Sequence, residues 1–303
     1  MSVVLYFSKL NLVSGEIFEA YEDEAVLRKI LSTMANELES NANYTKTQIA
    51  DLGNGETEIS KVEYKLMILD KTDDSIEGRI YKSSKLHFNI LDENTDELIP
   101  RSTPNSECIR FYMDIFKEII VFHTTNRFGY REFNEALENI INICIQKGEK
   151  EYQFAIDLHT EGIAISDFRQ KIKEIGIIKE LRFKMQPPNP DTPLRRRILE
   201  NGEVAIDDMI KGNITGMNNV FLSKSSFGLN LESPIIDDNL SKVEAIDQFI
   251  GDNQATAKGY VTIEAIARNG KRYTTADAKP KKFEVDDLKE FVDKCKRAIN
   301  SIF

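Results

Sequence analysis

The chain has 303 residues, 41% hydrophobic and 30% charged, with a net charge of −10. That composition describes a globular protein with a real core, and its acidic balance argues against broad, nonspecific binding to nucleic acid. No run approaches the ~18 apolar residues of a membrane span, and the start, MSVVLYFSKLNLVSGE, lacks the basic region and cleavage site of a signal peptide. Direct membrane insertion is therefore not expected.

In chain order, residues 2–13 alternate as a strand, and 24–40 place Val26, Ile30, Leu31, Met34 and Leu38 on one helical face. The polar, Gly/Asn-rich stretch 41–60 reads as a loop. Strand-like runs follow (KVEYKLMILD, IEGRIYKSSKLHFNIL, ECIRFYMDI, KEIIVFH), with RSTPNSE at 101–107 as a break. Residues 130–148 form a broad-faced helix stopped by a glycine. A second block runs strand EYQFAIDLH, helix ISDFRQKIKEIG with Gly176 as its stop, and strand IIKELRFKM. After it come a Pro-rich turn, short helices at about 193–200 and 203–211, a strand in NNVFLSKSSFGLN and a short helix at VEAIDQFIG. Asn269-Gly270, between AKGYVTIEAIA and KRYTTAD, is a strong hairpin signal, and VDDLKEFVDKCKRAINSIF predicts a last helix. Strands and helices intersperse without strict βαβ alternation, so the fold class is α+β, with mixed or antiparallel sheets and a C-terminal helix. Gly148 suggests a boundary, giving an N-terminal domain at 1–149 and a C-terminal domain at 150–303. IIVFHTTNRFGYREF and FAIDLHTEGIAISDF echo one another as strand, His-Thr, loop and helix.

Cys108, Cys144 and Cys295 are odd in number, far apart and in apolar contexts. They are expected as free thiols in a reducing, cytoplasmic compartment. No phosphate loop, zinc spacing or nucleophile motif occurs, so no cofactor and no metal site is expected. His123 and His159 each follow an apolar strand and precede threonine, the pattern of two-histidine phosphodiesterases in which one imidazole is base and the other acid. His159-Thr160-Glu161 departs from it, with a carboxylate in a hydroxyl position. EAYEDE (19–24) and DKTDD (70–74) read as solvated loops or helix caps. They also leave open an acidic inhibitor or adaptor, encoded by a mobile element, that binds protein.

Charge is uneven: residues 151–200 hold 8 acidic and 9 basic side chains, and 259–303 hold 7 and 10. In IIKELRFKM, alternation turns Leu181, Phe183 and Met185 inward and sets Arg182 and Lys184 together outside. Thr192 can cap a helix with Pro193 at its first position. Arg195, Arg196 and Arg197 then fall in the first turn, as an anion site or as partners of Glu200, Glu203 and Asp207. Arg268, Lys271 and Arg272 surround the Asn-Gly turn, and a charged two-stranded ribbon can enter a groove. In the last helix Val285, Leu288, Val292, Cys295, Ile299 and Ile302 step by 3 and 4, a seam for the chain's own sheet or for a second subunit.

The "I-x-G-x-I-Y" strand in EGRIYKSSKLHFNIL, the later "F-Y-x-D…I-I-V-F" hairpin, ELRFKMQPPNP and the closing hairpin GYVTIEAIARNGKRYTTAD occur in an order similar to a group of bacterial and prophage proteins linked to phage exclusion. The group includes the DNA-binding subunit of the Rex exclusion system and, more distantly, that of the Kiwa defence system. The resemblance implies a homodimer that grips duplex DNA nonspecifically, helps sense or block infecting phage, works with a second defence subunit and performs no catalysis of its own. The basic residues expected to contact DNA are Arg182, Lys184, Arg195, Arg196, Arg197, Arg268, Lys271 and Arg272.

Overall fold

A computed structural model describes residues 2–51, 57–92, 97–190, 194, 198 and 204–303. Among them are eight α-helices and twelve strands, in two sheets whose pairings are all antiparallel: an α+β fold with a C-terminal helix. The first sheet is built on β1 (Val3–Leu12). One edge of β1 pairs β6 (Ile119–His123), beyond which lie β5 (Glu97–Asp114), β4 (Ser75–Asp92), β3 (Thr57–Lys71) and β2 (Asn43–Asp51). The other edge is shared by β12 (Lys282–Val285), along Val3–Tyr6, and β7 (Phe154–Leu158), along Ser8–Leu12.

Alternation decides which side chains each face of this sheet buries. Ile120 and Phe122 point to α2 (Glu24–Glu37) and α3 (Tyr130–Lys147), where they join Leu10, Phe111 and Phe133 in the main core. Ile119 and Val121 point the other way, with Leu5, Phe7 and Tyr112, and are covered by α8 (Phe291–Ile302). Asp23, at the end of α1 (Ile17–Glu22), caps α2 by accepting the Ala25 N–H at 2.9 Å.

The second sheet runs β11 (Arg272–Thr274), β10 (Val261–Ala267), β8 (Ile178–Met185) and β9 (Met217–Leu222). Its inner face packs on α4 (Ile165–Glu174) and α6 (Pro234–Ile250), with Phe168 stacked on Tyr273. Helices α5 (Val204–Lys211) and α7 (Gln254–Ala257) complete the fold. The expected boundary follows α3, yet β7 and β12 return from beyond it to the first sheet, and one core cluster draws on both sheets.

Four local expectations differ from the structure. The stretch 41–60 holds β2 and the start of β3, an edge hairpin needing no apolar alternation because both its faces are largely exposed. RSTPNSE lies inside β5 rather than breaking it. Pro100 and Pro104 are four residues apart and so present their missing N–H groups on the same side; this part of β5 pairs only β4, and an edge strand tolerates proline there. VEAIDQFIG is the end of a 17-residue helix begun by Pro234 at its first turn. The last helix starts at Phe291, because Val285 belongs to β12 and Glu290 takes a left-handed φ of 49°. Its apolar stripe lies on the chain's own sheet, so the 3-4 seam provides no subunit interface.

Candidate nucleic-acid interface

The alternation in β8 does as expected: Leu181, Phe183 and Met185 are buried, and Arg182 and Lys184 are exposed on the opposite face. Register then sets their neighbours. Arg182 lies across from Glu264 on β10 and Val220 on β9, Lys184 across from Thr262 and Asn218, and Arg272 across from Ile266. At the hairpin turn, Gly270 supplies the positive φ of 83° and Asn269 Oδ1 accepts the Lys271 N–H at 3.0 Å. Arg268, exposed beside it, reaches the Ser226 carbonyl at 3.4 Å. Arg182, Lys184, Arg268, Lys271 and Arg272 are thus brought to one sheet and its turn.

Acids interleave with them. The Arg182 guanidinium bonds Glu180 and lies 3.5 Å from Glu264, which also holds Arg272. Glu180 was legible, being two residues from Arg182 on the same strand face. Glu264 was not, because its role depends on which strand pairs with β8. Beyond Lys184 the face ends at a recess holding Glu138 and Asp157. Glu138 Oε2 accepts the Ile156 N–H at 2.8 Å, and Asp157 Oδ2 accepts from Asn11 Nδ2 at 2.9 Å. Burial pushes both carboxyls above the usual range, with Lys184 pulling each back down. Gly259, at φ 78°, admits this arrangement; a Cβ there would overlap the Asp157 side chain.

Arg195, Arg196 and Arg197 lie outside the described residues, as do Thr192 and Pro193. The segment ahead of them is described, and Gln186–Pro190 is buried. Asn189 Oδ1 accepts the Leu12 N–H at 3.0 Å, its Nδ2 donates to the Leu10 carbonyl at 3.2 Å, and the Pro188 carbonyl accepts from Tyr21 Oη at 2.7 Å. The proline stretch is a corner joining the second sheet to the end of β1.

The two histidines do not share a cleft. His123 sits by Arg110, whose guanidinium stacks on Phe291 at the start of α8, whereas His159 packs edge-on against Phe303 beyond its end. β1 stands between them: His123 pairs Leu5 on one edge, and His159 donates its backbone N–H to the Phe7 carbonyl on the other at 2.8 Å. His123 Nε2 is occupied, accepting the Arg110 backbone N–H at 3.1 Å, and burial holds its pKa below the usual range. The acidic stretches serve local structure: Asp23 and Glu24 open α2, and Asp74 accepts from Thr72 at 2.6 Å in the β3–β4 turn.

Cys108, Cys144 and Cys295 are unpaired thiols. No helix among the described residues is long and apolar enough to cross a membrane. No protein-family model matches the chain, and no curated protein matches it in sequence.

Proposed function

We propose that the protein is a non-enzymatic component of phage exclusion that works in the cytoplasm as a homodimer. Duplex DNA lies across the outer face of the β11-β10-β8-β9 sheet and its β10–β11 turn. The observation that supports this is the gathering of Arg182, Lys184, Arg268, Lys271 and Arg272, two of them on β8, one on β11 across the intervening β10, and two at the turn. Glu180 and Glu264 interleave with them, and the five cations outnumber these two carboxylates on an otherwise acidic chain. Phosphate contacts of this kind position a protein without reading bases, so binding is weak, sequence-independent and salt-sensitive.

Neutralising Arg182, Arg268, Lys271 and Arg272 together to glutamine tests the reading. Duplex affinity measured by fluorescence anisotropy at two salt concentrations is expected to fall for all sequences alike. The slope of log K against log salt should flatten by about 0.9 for each phosphate that the variant no longer neutralises. Unchanged affinity with a lowered melting temperature would make these side chains a structural ion-pair network and leave the DNA reading without this face.

A second copy requires a surface other than α8. The β4–β5 hairpin, with strands of 18 residues or about 60 Å at ~3.4 Å per residue, carries exposed Phe88 and Ile90 on one face and Leu91 on the other. The neighbouring β2–β3 hairpin exposes the cross-strand pair Ile49 and Ile59.

A further inference from the structure

Strand β9 turns apolar side chains to both faces of its sheet. Phe221 packs edge-on against Phe183 inside. Val220 and Leu222 stand exposed on the outer face, across from Arg182 and Glu180. The loop that follows, SKSSFG, carries Phe227, which is 90% exposed. One exposed apolar residue is ordinary on a protein surface. Here Ile177, also exposed, borders the same loop beside Gly228, so apolar side chains collect at the end of the face that carries the arginines.

Phe227 is held in place by its own loop. Ser223 Oγ accepts the Ser225 N–H and Ser225 Oγ accepts the Phe227 N–H, both at 3.2 Å. On either side the chain is tied to β8: the Ser223 N–H donates to the Lys179 carbonyl and the Leu229 N–H to the Ile178 carbonyl, both at 2.8 Å. Gly228 takes a φ of 76°, and a Cβ there would overlap the Ile178 carbonyl. The ring therefore stands in solvent on an ordered backbone, and a ligand that stacks on it has little left to order. The preceding residue, Ser226, offers its carbonyl to Arg268 Nη1 at 3.4 Å, and the Arg268 N–H donates to the Ile177 carbonyl at 2.8 Å. Phe227 thus lies beside the β10–β11 turn.

A fully paired duplex turns phosphates and sugars outward and keeps its base planes stacked, so it offers this ring no apolar surface. An unpaired base offers its π-face, and one already out of the stack costs least to engage. We propose that Phe227 stacks on an unpaired nucleobase while Arg268 holds the adjoining phosphate, so that this face prefers DNA with a locally unpaired base to fully paired duplex. The inference rests on the DNA reading above and adds to it the structural class of DNA that is bound.

Fluorescence anisotropy of the full chain tests it with two probes of equal length and flanking sequence, a fully paired duplex and a duplex carrying a single-base bulge. The parent is expected to bind the bulged probe about tenfold more tightly, in line with one base–aromatic stack. Phe227→Ala should erase that preference, with affinity for the paired probe and melting temperature unaltered, and Phe227→Trp should keep it. A parent that binds both probes alike, or a Phe227→Ala variant that retains the preference, would overturn the assignment and leave the duplex reading standing. A parent that binds neither probe would overturn both. Conversion of a dimer to a monomer by Phe227→Ala in light scattering would overturn the assignment too, by making the ring a subunit contact.

Discussion

His159 titrates near pH 3 in the folded chain, because burial and three lysines disfavour its charged form, and near 6.5 when unfolded. Between those values the unfolded chain takes up a proton that the native state refuses, so stability falls as pH drops from about 6.5 toward 3. Each unit of pH in that window costs up to about 1.4 kcal/mol. In urea melts at pH 7, 5.5 and 4, His159→Gln is expected to lose less stability than the parent, by a few kcal/mol at the lowest pH. Asp157 and Glu138, raised by burial, act in the opposite sense, but they are present in both proteins and cancel in the difference. Parallel curves for the two proteins would mean that the native imidazole takes up its proton readily. A second residue-scale expectation concerns Glu264, which holds both Arg182 and Arg272. Glu264→Gln should tighten duplex binding several-fold at low salt; weaker binding would show that the carboxylate positions the arginines instead of competing for them. The outward direction of Arg182 and Lys184 was legible in the period of two. Their acidic partner across the strand was not, because cross-strand neighbours follow from register and not from local spacing.

Helix α8 shows why a heptad-like spacing is ambiguous. Val292, Cys295, Ile299 and Ile302 keep the 3-4 step, but the strip is short and one sheet face otherwise lacks cover, so it packs there. Ile299, 1% exposed, should cost about 2–5 kcal/mol as Ile299→Ala. Its effect should appear in denaturant melts and leave the oligomeric state unaltered. The long hairpin carries the converse expectation: Phe88→Ser with Ile90→Ser should convert a dimer to a monomer by light scattering with little change in melting temperature. A parent chain already monomeric at micromolar concentration would remove the homodimer from the proposed function. Buried elements such as α2, α3 and β8 announced themselves through periodicity, because one face must be apolar. β2, the first residues of β3 and the distal β5 segment did not, since stretches largely exposed on both faces carry no such demand.

At the scale of the whole molecule, the buried QPPNP corner ties the two sheets, with Asn189 bonding the backbone of β1 at both Leu10 and Leu12. Asn189→Ala strands buried backbone groups there, each worth about 1–3 kcal/mol. It should lower the melting temperature and speed limited proteolysis near residues 186–190, with an unchanged proteolysis pattern counting against the corner as a joint. The echo between the two His-Thr segments also has a spatial counterpart. β6 followed by α3 and β7 followed by α4 flank the two edges of β1, both antiparallel to it. The sequence by itself determined the α+β class, the buried face of β8, the Asn-Gly hairpin and the stops of α3 and α4, because period, turn chemistry and helix ends are local properties of the chain. Only the tertiary structure decided that β7 and β12 return to the first sheet, that Glu264 lies between two arginines, that the histidines stand on opposite edges of β1, and that lysines from distant segments surround His159. Those outcomes depend on which remote segments become neighbours when the whole apolar surface is buried at once, and no local spacing encodes that choice.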